Sequence, residues 1–455
     1  MPKARFMLLV GLAVLVAFAG FAFIRNLIDF PVYYAAGQSL LSHRTDLYAP
    51  DFALGQVMDY RYPPFFLLLF WPLWLLPYKV AAYLWYLFSI AEIALVVFFI
   101  RRVAAIESEK KGLKKGLWLV VFFVVAPYFV TILHYGNAHL LAIFLLFAAF
   151  TFVVQKKPRF AGLALALAIS IKLTPALILP YFALRKQWRL LASVAVFLAV
   201  INLAPAIHFG FAKNNELLKN WFEHVVVSQE FHEANGPINL SLKGQLRRYF
   251  SDVDYSQRVD GDVYYPAINL TSVSEVRIDL AWKIVSALLC LMAFGLIVLE
   301  RRRLQLRRRS LNETNSQAER EANTETCEQV FSDLFALEMA LLICLMLLVG
   351  PLTSKIYFIA LLWPVASLAT FAFNQATRQA QRVRRLLIGL AIVNSVLPLL
   401  PGRSLQRLLL VLGVDFYVNL LLFLAVVYVL RATARLPQRR CGEPQMSSLS
   451  TTRTS

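Results

Sequence analysis

Asp29 stands in the stretch Asp29-Phe30-Pro31-Val32-Tyr33-Tyr34-Ala35-Ala36-Gly37, a few residues after the first apolar run. A carboxylate fixed there can serve as general base toward a hydroxyl at a membrane surface. Neighbouring rings would exclude water, and Pro31 stiffens the approach. By spacing alone an ordinary solvated aspartate is the commoner reading. Asp46, Asp51 and Asp59 share this polar stretch as further candidate carboxylates. Tyr60-Arg61-Tyr62-Pro63-Pro64 then leads into a proline-broken apolar run, where aromatic side chains often serve only as interface anchors.

Lys172 lies inside an apolar run. A lysine there is costly and marks a partner, a pore or a substrate, a lipid phosphate being one anion found at that depth. Snorkelling to water is the equal alternative. Further on, Asn239-Leu240-Ser241-Leu242-Lys243-Gly244-Gln245-Leu246-Arg247-Arg248 combines an amide and a hydroxyl suited to sugar hydroxyls with two guanidiniums suited to a phosphate fork. The same pattern describes an amphipathic surface helix with a basic face. His43, His134, His139, His208, His224 and His232 all fall in expected external segments or at span ends, but no tight metal-ligand motif joins them. No glycine-rich phosphate loop is present, which disfavours a nucleotide-sugar donor used from the cytoplasm.

Elements that could position these groups follow from composition. Of 455 residues 59% are hydrophobic and 16% charged, and the mean hydropathy is +0.61. No single soluble core hides that much apolar surface. Apolar runs of about 20 residues recur, the length a helix needs to cross hydrocarbon, and they lack the alternation of a barrel strand. The formal charge of +19 sits mostly in short clusters between these runs. Such clusters are expected of cytoplasmic loops, not of a nucleic-acid-binding face. Four cysteines form no disulfide framework, since Cys290 and Cys344 lie in apolar runs and Cys327 and Cys441 in expected cytoplasmic segments.

Threading the charges through a bilayer gives an all-α polytopic membrane protein with about twelve transmembrane helices and cytoplasmic termini. Residues 7–24 make the first span, not a cleaved leader, and 63–77 make a re-entrant or interfacial segment. Further spans run 80–100, 116–134, 138–154, 189–210, 280–299, 334–350, 356–373, 386–400 and 408–430. Basic residues on both sides of 160–184 predict two short helices, 161–171 and 174–184, with Lys172 at an outward apex. The organisation is one integral-membrane domain over 1–440, with external catalytic loops 25–62 and 211–278 and a polar cytoplasmic linker at 300–330. A disordered tail is expected over 441–455. No internal repeat is evident.

In order and spacing the chain resembles glycosyltransferase family 87, the polyprenyl-phosphate-mannose-dependent mannosyltransferases of the GT-C fold. The resemblance begins with Asp29 and Tyr33-Tyr34-Ala35-Ala36-Gly37, then Tyr62-Pro63-Pro64, Trp71-Pro72-Leu73, Leu76-Pro77, Ala81, Ala82 and Trp85. It continues through Gly136-Asn137-Ala138-His139-Leu140-Leu141, Ala161-Gly162 to Lys172 and Pro175, and Asn239 to Arg247, covering most of residues 25–365.

It implies a bacterial-type plasma-membrane enzyme with an extracytoplasmic site. Mannose would pass with inversion from a polyprenyl-phosphate sugar donor to a glycolipid or glycan acceptor, without metal or other cofactor. Asp29 would be the base, Lys172, Arg247 and Arg248 would hold the donor phosphate, and Tyr33, Tyr34, Tyr62, Asn137, His139, Asn239 and Ser241 would bind sugar or acceptor. Two departures stand out. Gly136-Asn137-Ala138-His139 replaces the usual Gly-Gln-x-Asn, and Ser354-Lys355-Ile356-Tyr357-Phe358 replaces a Ser…Trp-x-His stretch, so that Lys355 is a further phosphate candidate.

Two other readings stay open. One is a transporter or lipid-linked-sugar flippase, which would place its polar residues in broken helices at mid-membrane. The other is an inactive relative acting as a structural partner.

Overall fold

The structure, a computed structural model, describes residues 16, 18–42, 47–48, 60–106, 115–227, 236, 238–252, 265–314 and 334–433. Most of the expected first span, Asp46, Asp51, Asp59, His43, His232, Cys327, Cys441, most of the polar linker and the tail lie outside these residues.

The described chain is helical, with no strand among the described residues. Among the described residues six helices are long and apolar enough to cross a membrane: Tyr78–Arg101, Gly116–Tyr135, Trp188–Phe209, Glu275–Leu306, Lys355–Asn374 and Val414–Thr433. Four shorter apolar helices, His139–Val154, Pro158–Ile171, Thr174–Leu184 and Leu334–Val349, pack among them. The Glu275–Leu306 helix leaves Leu288 60% and Leu291 71% exposed. Lipid is the medium that can cover such a surface. The chain is therefore an integral membrane protein, with six such helices and shorter apolar helices between them among the described residues.

The 160–184 run breaks at Lys172, as its charges predict. The Pro158–Ile171 helix ends there in extended backbone, and Pro175 opens a tight turn over Thr174–Ile178 before the helix Leu179–Leu184. Proline suits that opening position, where its missing N–H costs nothing. At the far end of this hairpin Arg185 Nη1 donates to the Tyr181 hydroxyl (2.9 Å), and that hydroxyl donates to Glu338 (2.7 Å). Arg301 also pairs with Glu338. Two basic clusters expected on one membrane face thus converge on a single buried carboxylate.

The proline-rich 63–77 stretch is two short helices, Pro64–Leu69 and Trp71–Trp74, too short to cross. They pack on the Phe30–Leu41 helix, which enters at Pro31 and passes the Trp74 ring at Gly37. A Cβ on Gly37 would lie 2.3 Å from that ring, so only glycine permits the approach. Phe30, Tyr33, Phe66 and Phe70 surround the buried Trp85 ring, with centroids 4.9 to 6.5 Å away.

The final expected span, 408–430, begins later than hydropathy suggests. Gly413, in the left-handed region at φ 75°, ends a separate helix, Arg403–Leu412, before Val414–Thr433 begins. Apolar residues run on either side of the turn, Leu408–Leu412 before it and Val414, Phe416 and Val418 after it, which hides it from a hydropathy window.

Candidate active site

A cavity of about 920 Å³ lies among these helices. Pro127, Thr131 and Tyr135 of the Lys115–Tyr135 helix face it at successive turns, so the cavity runs along one stripe of that helix. Asp29 and Asp415, two carboxylates from opposite ends of the sequence, both line it.

Asp29 is held by the turn that follows the Lys115–Tyr135 helix. Its backbone N–H donates to the Tyr135 carbonyl (2.8 Å), and Asn137 Nδ2 donates to Asp29 Oδ2 (2.8 Å). Asn137 Oδ1 accepts the His139 N–H at 2.6 Å. A carboxylate only accepts and a backbone N–H only donates, so these two bonds fix the amide's orientation. The turn depends on Gly136 at φ 63°, whose carbonyl accepts from Trp85 Nε1 at 2.8 Å. Next to the amide, the Tyr62 and Tyr33 hydroxyls are 2.9 Å apart, and the Ala138 N–H donates to that of Tyr33 (3.3 Å). Burial is the main cause that raises both phenols well above the ordinary range, and the Asp29 charge adds to it. Both therefore stay neutral donors beside the carboxylate.

Lys172, at the hairpin apex, places Nζ 3.2 Å from the centroid of the Tyr357 ring. The buried His139 ring packs on the same tyrosine at 4.6 Å. Farther along the cavity the Tyr128 hydroxyl donates to Asp415 Oδ1 (2.9 Å), and Asn394 Nδ2 lies 3.3 Å from that hydroxyl. Lys355 acts electrostatically on Asp415 from the same wall. Arg61 also lines the cavity, its carbonyl accepting from Trp221 Nε1 at 3.1 Å. Arg403 and Arg407 bring two more guanidiniums from the Arg403–Leu412 helix.

Of the residues singled out by sequence, Asp29, Tyr33, Tyr62, Asn137, Lys172 and Lys355 therefore share one cavity. Others stand behind its wall. Tyr34 donates its hydroxyl to the Leu76 carbonyl at 2.7 Å. Asn239, fully buried, donates to the Pro351 carbonyl (2.9 Å) and accepts the N–H groups of Ser241 and Thr353. Ser241 caps the Leu242–Phe250 helix by accepting the Gly244 N–H at 3.2 Å. Arg248 is 1% exposed and donates to the Asn239 carbonyl (2.8 Å), while Arg247 pairs with Glu275. With Lys243 Nζ 2.9 Å from Asp279, these pairs seat the Leu242–Phe250 helix on the start of the Glu275–Thr314 helix. Gly244 lies so close to Asn239 that a Cβ there would meet its carbonyl oxygen at 2.0 Å, so only glycine fits at that position.

Asp415, Asn394, Arg403 and Arg407 also line the cavity and are not among the residues that the sequence singles out. Asn394 and Asp415 did carry a signal, since polar groups in apolar spans are costly. Arg403 and Arg407, four apart among leucines, mark one helical face.

Among the described residues no three His, Cys, Asp or Glu side chains gather as a metal site. The cavity instead sets two carboxylates against five cations, Arg61, Lys172, Lys355, Arg403 and Arg407. Fold and site define a polytopic membrane protein whose internal cavity suits an anionic substrate beside a positioned carboxylate. The chain belongs to glycosyltransferase family 87, whose model matches residues 60–316. It is similar to a polyprenol-phosphate-mannose-dependent alpha-(1-2)-phosphatidylinositol pentamannoside mannosyltransferase of Mycolicibacterium smegmatis, 27% identical over 290 residues, 60% of this chain and 65% of that protein. A protein of the same description from Mycobacterium tuberculosis is 30% identical over 187 residues, 39% of this chain and 41% of that one. The chain thus spans less than two thirds of the length of these relatives. No solved structure matches it. Asp29, Lys355 and Asp415 fall outside the stretch matched by the family, so geometry carries their assignment.

Proposed function

We infer that the protein transfers a hexose, mannose by the names of its relatives, from a polyprenyl-phosphate donor to a hydroxyl of a glycolipid or glycan acceptor. Asp29 takes the acceptor proton, and the acceptor oxygen attacks the anomeric carbon. The bond from that carbon to the phosphate oxygen breaks, with its electron pair leaving on polyprenyl phosphate and inversion at the sugar. Cations around the cavity stabilise the charge that develops on the leaving phosphate, where preorganised charge is most effective. The observation that carries this reading is a carboxylate oriented by Asn137 in the wall of a cation-rich cavity inside a membrane protein. The charge pattern between the apolar runs supports a site on the extracytoplasmic face with both termini in the cytoplasm.

The test uses purified protein in lipid, with polyprenyl-phosphate-mannose and a panel of glycolipid acceptors. Wild type releases free polyprenyl phosphate, and Asp29→Asn lowers that release by about 10² or more. Release undiminished by the substitution removes Asp29 as base.

A further inference from the structure

The cavity has two polar ends at different heights on one helix. The Asp29 backbone N–H donates to the carbonyl of Tyr135, and the Asp415 carboxylate accepts the hydroxyl of Tyr128. Seven residues of helix separate these anchors, roughly 10 Å at 1.5 Å per residue. At the Tyr128 level the charged lining is Asp415 and Lys355, continued by Arg403 and Arg407. Four residues apart on one helix, these two arginines stand one turn above each other and both face the cavity. Leu397, Pro398, Leu409, Leu410 and Val414 surround them, so the same end offers an apolar wall.

Chemistry separates the two ends. An in-line inverting displacement puts the attacking oxygen and the leaving phosphate on opposite faces of the anomeric carbon. The hydrogen bond from base to acceptor and the near-attack contact together span about 6 Å before the sugar carbon is reached. The phosphate then lies beyond it, at about the distance that separates the two ends of the cavity. Lys172 is stacked on Tyr357. Arg247 and Arg248 are held outside the cavity by Glu275 and Asn239.

We propose that Arg403 and Arg407 hold the phosphate of the lipid-linked donor, that the leucines beside them pass its prenyl chain toward the bilayer, and that Asp415, fixed by Tyr128, receives hydroxyls of the donor sugar. The acceptor then occupies the Asp29 end. This rests on the donor class proposed above. Guanidiniums match a phosphate through paired N–H groups, and Asp415, fixed through Oδ1 by Tyr128, lines the cavity where a carboxylate can accept sugar hydroxyls.

The experiment measures equilibrium binding of a radiolabelled polyprenyl monophosphate to the full chain in nanodiscs. Arg403→Gln with Arg407→Gln weakens binding at least about tenfold, the loss expected of a charge-assisted contact, and the double lysine variant recovers most of it. Asp415→Asn leaves the monophosphate bound as before but weakens polyprenyl-phosphate-mannose about fivefold or more, because only the sugar-bearing ligand reaches it. Unchanged monophosphate binding in the double glutamine variant overturns the arginine assignment while the donor class stands. Equal effects of Asp415→Asn on both ligands overturn the sugar contact. Displacement of the probe by phosphatidylinositol, but only where the arginines are intact, assigns them to an acceptor phosphate and overturns the proposal. Wild type that binds no polyprenyl monophosphate sinks the donor class itself.

Discussion

Asn137 Nδ2 donates to Asp29 Oδ2 across 2.8 Å, although 108 residues separate them in sequence. The bond ties the start of the Phe30–Leu41 helix to the turn between two apolar helices. It makes Asn137 a positioning residue for the proposed base, with its other amide atom committed to the His139 N–H.

Asn137→Ala therefore lowers kcat by about 10- to 100-fold with little change in KM for the donor. The acid limb of the pH–rate profile moves to higher pH, because the ionised carboxylate loses a hydrogen bond that favours it. Stopped assays across the acid limb of the pH–rate profile check both. A fall in thermal stability with an unmoved acid limb would mean the contact is only structural.

Tyr33 and Tyr62 are buried phenols held above the ordinary tyrosine range. Their contribution to stability is complete below the unfolded value of about 10 and is lost as pH rises beyond it. Tyr62→Phe removes one such group, so the melting temperature of the variant falls less steeply than that of wild type above about pH 10. Thermal unfolding in lipid from pH 8 to pH 11, bracketing that value, tests the sign.

Gly136 combines φ 63° with Leu27 Cδ2 and Phe30 Cβ at 3.0 and 3.2 Å from the position of an added Cβ. Gly136→Ala costs about 1–3 kcal/mol through strain and crowding. It also displaces Asn137, so activity falls further than stability alone requires. Gly295→Ala, in a helix with nothing within 4 Å, serves as the control and keeps or raises the melting temperature.

Arg247, set by sequence among the phosphate candidates, is paired with Glu275. Arg247→Gln should lower stability by about 1 kcal/mol, discounted because Glu275 is 55% exposed, and leave the donor KM unchanged. In the double variant with Glu275→Gln the two losses add to less than their sum. A raised donor KM in Arg247→Gln would instead return this guanidinium to the phosphate.

The sequence by itself determined the membrane class, because apolar length and charge clusters are properties of local segments and the bilayer reads them directly. It also determined the break at Lys172, where a lysine and a proline interrupt one apolar run, and the early aspartate among aromatic rings. Only the tertiary structure decided which polar groups share a cavity. Asp29 and Asp415 line the same space from opposite ends of the chain, and no periodicity links them. Asn239, Ser241, Arg247 and Arg248 have side chains as suited to sugars and phosphates as any in the molecule. Their places turned on neighbours, the Pro351–Thr353 backbone and Glu275, that arrive from distant segments and hold Asn239 and Arg247. A side chain's type limits the bonds it can make, and packing chooses which partner makes them.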